Sequence, residues 1–280
     1  MKFKFFTLGG KQFWEDVFYY QKWRIQRHYR TRKYRLLDNW DICRAKGSFE
    51  ECRQAFVKFI EIYEIPRQNG KLVVLLHGLG ESKNIFKPLI KPLEQQGYHV
   101  AAINYPSTRK NLKAHTDQLD FFLTHTEDVD EVSFITKGMG CLLLRYLIDA
   151  NLEWNKKFKI GKIINVNPIN TGSPLCASLS RLKIFNLIFG ESLKECTPEN
   201  VHSIPQLPEN FPLALIFCQT HLDKLLAPLA KKYKGIDIPG ELKEKDFSSN
   251  RIFIKNSDLN IFDNKKLIQS CLRFLTQGKL

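Results

Sequence analysis

No apolar stretch in the 280 residues approaches the ~18 uncharged residues needed to cross a bilayer, so a membrane span is not expected. The opening MKFKFFTLGGKQF is basic, but its apolar run is too short for the core of a signal peptide. A cytoplasmic location is therefore expected, with export by a non-classical route left open. The seven cysteines are an odd number, and none forms a C-x-x-C pair. That argues against a fully paired disulfide scaffold and a thiolate zinc site, and reads as core thiols in a reducing compartment. His99, His115, His125 and His202 show no ligand spacing with Asp, Glu or Cys, so neither a metal nor a cofactor is expected. Acid is scarce too: 29 Asp and Glu stand against 43 Lys and Arg, a formal net charge of +14. Such an excess favours anionic partners without naming one.

What is present suffices for a packed core. Hydrophobic residues make up 43% and charged residues 26% of the chain, and its length fits one large domain or two small ones. Residues 1–66 read as a basic N-terminal extension packed on a body formed by 67–280. Within it, QKWRIQRHYRTRKYR (21–35) holds seven Lys and Arg, no acid, and the aromatics Trp23, Tyr29 and Tyr34. Three uses fit that mixture: an anionic membrane, an acidic protein surface, or, as the weaker alternative, phosphates and bases of nucleic acid. A plainer reading is a short hairpin whose aromatics pack on the body. From Ser48 the pattern turns helical, with Ser48 and Glu51 spaced as a capping box and Phe56, Ile60 and Tyr63 at helical intervals. PRQNG (66–70) then breaks the helix.

The body alternates short continuous apolar runs with amphipathic segments. The runs lie at 71–76, 99–104, 131–136, 162–167, 213–218 and 251–255; the helical segments include 111–125, 141–150 and 264–275. That alternation predicts an α/β fold with a mostly parallel central sheet and helices on both faces. Residues 171–210 interrupt the rhythm with Ser, Pro and the apolar LKIFNLIFG (182–190), and are expected to form an inserted cap. Leu182, Ile184, Phe185, Leu187, Ile188 and Phe189 would cover a cleft, the alternative being a surface helix with no cavity beneath.

Two strand ends carry the functional signal. VVLLHGLGESKNIF (73–86) places His77-Gly78-Leu79-Gly80 after a strand and before a helix, where backbone N–H groups can face a developing oxyanion. VSFITKGMGCLLLRYL (132–147) has the outline of a strand, a sharp turn and a helix, with Gly138 at its point. Together with NPINTGSPLCASL (167–179) and Leu144-Arg145-Tyr146, these stretches resemble the α/β-hydrolase superfamily, in its lipase- and acyltransferase-like bacterial branch. The resemblance covers about 71–278; LGGKQFW (8–14) and YRLLD (34–38) resemble the N-terminal extension of some bacterial members. Thr136-Lys137-Gly138-Met139-Gly140 matches the G-H-S-M-G form of the nucleophile elbow. The resemblance implies an α/β-hydrolase fold, a nucleophile position at Gly138, and oxyanion donors at Met139 and around Leu79, with His77 holding the loop.

The chemistry does not carry over with the frame. Gly138 has no hydroxyl. The family's base position falls in Ile254–Leu259, with Asn256 the best match, and asparagine is no base near neutral pH. The acid position falls on Lys234, in KGID (234–237), while Asp237, Glu241 and Glu244 remain candidates for a replacement. A serine, a base and an orienting acid work as a unit, so losing two of them points to a pseudoenzyme. Cys141 is expected to pack as a small apolar residue and Ser133 to be structural. The expected function is a catalytically degenerate lipase-like α/β-hydrolase that binds an apolar or acyl ligand, or a protein, through His77, Gly78, Leu79 and Met139. An esterase with displaced catalytic residues is the alternative, and a nucleic-acid-associated basic protein the second.

Overall fold

The computed structural model describes residues 11–150, 153–219, 250–255 and 259–280. Its centre is a six-stranded sheet in the order β10-β9-β8-β7-β5-β6, with every neighbouring pair parallel. The strands are β5 (Lys71–Leu76), β6 (His99–Ile103), β7 (Glu131–Lys137), β8 (Lys159–Val166), β9 (Leu213–Gln219) and β10 (Arg251–Lys255). Their apolar runs are continuous because both faces are covered. On one face, Val74, Leu76, Ile103 and Phe134 pack under α3 (Leu112–Thr124) and α4 (Met139–Asp149). On the other, Val73, Leu75 and Ile164 meet α2 (Lys87–Glu94) and the closing helix Lys265–Gln277. This layout matches the α/β-hydrolase architecture.

The N-terminal part holds more structure than a hairpin. Strands β1 (Trp14–Tyr20), β2 (Trp23–His28), β3 (Tyr34–Leu37) and β4 (Cys43–Gly47) form a four-stranded antiparallel sheet in sequential order. Gln21 and Lys22, both at positive φ (47° and 71°), make the two-residue turn between β1 and β2. Helix α1 (Phe49–Ile62) closes one face, and the capping box at its start is formed: the Glu51 N–H donates to Ser48 Oγ and the Ser48 N–H to the Glu51 carboxylate. Phe56 sits at the centre of this layer, its ring against Phe18, Tyr20 and Trp23.

Three arginines of 21–35, Arg24, Arg27 and Arg35, turn inward, whereas Arg30 and Arg32 are exposed. Arg27 pairs with the fully buried Glu15, Arg24 with Asp41, and Arg35 donates to Gln26 while its guanidinium lies 3.9 Å from the Trp14 ring. Trp23 stacks on Phe59 and Tyr34 meets Phe49 edge-on. Arg30, Arg32 and Lys33 remain exposed together in the turn between β2 and β3. A buried carboxylate joins this sheet to the body. Asp16 accepts from the Asn104 N–H at 2.6 Å and from Gln26 Nε2 at 2.7 Å, and its own N–H donates to the Asn104 carbonyl. Burial pushes its carboxyl above the usual range despite Arg24 and Arg35 nearby.

Residues 171–210 form short helices: α5 (Pro174–Ser180), α6 (Lys183–Phe189), α7 (Glu191–Glu195) and α8 (Pro198–Val201). They are tied to α3 and α4 rather than hanging free. The Leu112 N–H donates to Glu195, and Ser192 Oγ donates to the Lys110 carbonyl. Arg145, buried on α4, donates to the carbonyls of Asn170, Ile204 and Pro205, gathering both ends of the segment. Phe185 and Phe189 of α6 pack inward, whereas Leu182, Ile184, Leu187 and Ile188 stay exposed. Among the described residues, no helix is long and apolar enough to cross a membrane.

Arg145→Ala would leave three carbonyls without a donor, each costing roughly 1 kcal/mol or more. Urea unfolding should show a loss of about 3 kcal/mol, and limited proteolysis should cut sooner within 171–210.

Candidate functional site

Strand order explains why the two motif loops meet. β5 and β7 are neighbours, with Leu76 opposite Thr136, so both chains leave the sheet side by side. The β7 chain turns at Gly138, at φ 52° and ψ −118°, and Met139 opens α4 at once. Glycine holds positive φ without a Cβ penalty, so the sharp turn persists. A Cβ placed on Gly138 would find its nearest neighbour at 3.8 Å, the Gly78 Cα, so the two loops face one another. Gly140 is glycine for a different reason: a Cβ there would sit 2.5 Å from the Leu76 carbonyl oxygen. The first turn of α4 lies directly on β5. Thr136, two residues before Gly138, is buried and its hydroxyl donates to Asn165 Oδ1 on β8 at 2.6 Å.

His77 is fully buried and holds the loop. Its ring stacks on Tyr105 at 3.9 Å, and Nδ1 lies 2.8 Å from the Gly78 carbonyl. Burial lowers its pKa to about 4, so the ring is neutral and donates through Nδ1, leaving Nε2 to accept from the Tyr105 N–H at 3.5 Å. The Tyr105 hydroxyl donates to the His77 carbonyl. This ring is fixed by its own loop, a poor place for a general base. Gly80 donates its N–H to Ser107 Oγ at 3.0 Å. Phe189 lies against Gly80, so α6 reaches the loop.

A pair of charges that the motifs did not flag occupies this mouth. Glu81 accepts the Gly78 N–H at 2.8 Å with one carboxylate oxygen and Lys137 Nζ with the other. Lys137 stands where G-H-S-M-G has its histidine, and Glu81 directly follows H-G-L-G; their opposite signs at adjoining strand ends were the available clue. The N–H groups of Leu79 and Met139 have no hydrogen-bond partner among the described residues. For Met139 that is the usual state of a helix's first residue.

Other reactive groups nearby are muted. Cys141 is buried, and burial pushes its thiol up to about 11 although it sits at a helix start. Ser133 Oγ accepts the Lys162 N–H at 3.0 Å inside the sheet. No disulfide joins any of the seven cysteines, and among the described residues no group of three His, Cys, Asp or Glu could hold a metal. Asn256, Lys234, Asp237, Glu241 and Glu244 lie outside the described residues.

No protein-family model and no curated protein matches the chain. Solved structures do. A metagenomic carboxyl esterase is 14% identical, over 61% of this chain and 60% of that one, with a TM-score of 0.49. A monoacylglycerol lipase of Paleococcus ferrophilus is 14% identical, over 74% and 94%, at 0.46. A pyrethroid hydrolase of Sphingobium faniae is 12% identical, over 75% and 98%, at 0.42. At such identities the likeness concerns the fold alone.

The glycines differ in what they tolerate. Gly138→Ala meets only the backbone penalty of a sparsely populated positive-φ turn, about 1–3 kcal/mol. Gly140→Ala drives a methyl into the Leu76 carbonyl and should cost more, about 3 kcal/mol, read by thermal or urea unfolding. The buried histidines set an acid limit. His77 and His115 fall to about 4 and about 3 through burial, against about 6.5 when unfolded. Their contribution is complete above pH 6.5 and is lost as pH falls towards those lower values, at up to about 1.4 kcal/mol per pH unit for each ring. Urea midpoints measured from pH 7.5 to 5 should fall accordingly.

Proposed function

We propose that the chain is a catalytically degenerate lipase-like α/β-hydrolase, which holds a ligand oxygen at a retained elbow without cutting a bond. The observation that supports this reading is Gly138 itself: a sharp turn at φ 52° stands where the elbow it resembles would carry a nucleophile, and glycine has no hydroxyl. The neighbouring groups support it. His77 is locked and neutral, and Cys141 is buried with a raised pKa. Glu81 places a carboxylate on the Gly78 N–H, beside the position where an oxyanion would develop. A negative charge there opposes the transition state of acyl transfer, although Lys137 offsets part of it. The N–H groups of Leu79 and Met139, without a partner among the described residues, remain suited to one neutral carbonyl oxygen. Phe185 and Phe189 of α6 would supply the apolar side of such a site, for an acyl or similar ligand.

The test is turnover. The unmodified chain should hydrolyse neither short- nor long-chain esters, and should take up no fluorophosphonate probe. Gly138→Ser alone should stay near background, since a serine without a base keeps its ordinary weak nucleophilicity. Gly138→Ser with Asn256→His should exceed the single variant by about a hundredfold if an acid from 237–246 reaches the histidine, and Glu81→Gln should raise it further. Robust hydrolysis by the unmodified chain, or by G138S alone, would refute the degenerate reading.

A further inference from the structure

Charge also gathers in an open cleft of about 450 Å³ between the N-terminal sheet and the body. None of its lining residues belongs to the elbow or to 171–210. Five cations line it, Lys11, Lys22, Arg24, Lys83 and Lys87, facing only two carboxylates, Asp41 and Glu94. The carboxylates do not satisfy them all. Glu94 is taken by Lys22 at 2.8 Å, and Asp41 is shared between Arg24 and Lys83. Lys11 and Lys87 have no carboxylate within ion-pair reach among the described residues. Arg24 is more than nine-tenths buried, yet its Nε has no hydrogen-bond partner among the described residues. Buried polar atoms are nearly always bonded, and an arginine fork with one arm on Asp41 has donors left for a second acceptor. Tyr19, Ile90, Val100 and Ala102 supply an apolar wall beside these charges.

We propose that this cleft binds a small phosphate-bearing anion, with its oxygens on Arg24, Lys83 and Lys87 and its carbon skeleton on the apolar wall. The volume lies in the range of small-molecule sites. A monocarboxylate would leave most of the positive charge uncompensated, whereas a phosphate group brings up to two charges and several acceptor oxygens to a planar guanidinium. A concave wall of low dielectric further strengthens the field of the lysines. The site stands independently of the elbow's catalytic state, although Lys83 lies only two positions beyond Glu81 and so joins both places through one loop.

Isothermal titration of the full chain with inorganic pyrophosphate tests the proposal. One saturable site is expected. Arg24 also holds Asp41, so its removal would disturb folding as well as binding; Lys87 is exposed and has no carboxylate partner among the described residues, and circular dichroism should show Lys87→Ala to be folded. This variant should bind about tenfold more weakly, as for the loss of one charged hydrogen bond. Lys113→Ala, which removes an exposed lysine paired with Asp117 on α3 outside the cleft, should bind as the parent does. The proposal is overturned by the absence of saturable binding at millimolar pyrophosphate, or by equal weakening in the two variants. Equal weakening would assign the effect to the overall charge of +14.

Discussion

The contact between Gly140 and the Leu76 carbonyl sets the geometry on which the site depends. A helix can rest on a strand this closely only where no side chain intervenes, and a Cβ at Gly140 would stand 2.5 Å from that oxygen. The close seat forces β7 to reverse within one residue, and the reversal gives Gly138 its positive φ. It also fixes the start of α4 beside the loop that leaves β5. Arg145, farther along the same helix, then gathers the ends of the inserted segment. The turn is therefore held by packing and backbone geometry, which need no side chain at Gly138.

The second organising theme is consumption of positive charge. Glu15 is fully buried and receives Arg27 and Lys110, with Arg32 farther off at 3.9 Å. Arg35 stays over Trp14 and against Gln26, and burial lowers its pKa to about 10. Arg24, Arg27 and Arg35 of the basic segment are thus structural cement between strands. Removing one partner of such a buried pair exposes the other to an unpaired, desolvated charge, which is far costlier than losing a surface ion pair.

Legibility followed hydrophobic pattern. The parallel strands were readable because their runs are apolar on both faces, as KLVVLL and EVSFIT are. The capping box at Ser48 was readable from two residue types at a fixed spacing. The N-terminal sheet was largely hidden, because its strands bury Glu15, Asp16, Arg24, Gln26 and Arg35, and these read as surface residues. For α6, composition gave the apolar content but not its direction: two phenylalanines face in, while Leu187 is 77% exposed. At the site, motif matching found the glycines and His77. It missed Glu81 and Lys137 because their meaning lies in a contact between two loops rather than within either.

The attachment of β1 through Asp16 has a consequence for the sheet's outer boundary. β6 is the last strand of the parallel order, and the Asp16–Asn104 exchange pins β1 at its end. A short apolar strand such as HVAAI, with one row of amides and carbonyls unpaired, is a template for another chain. The N-terminal sheet is thus also a guard against edge-to-edge polymerisation. A fragment beginning at β5 would keep the parallel strands yet lose that guard, and aggregation is its expected failure.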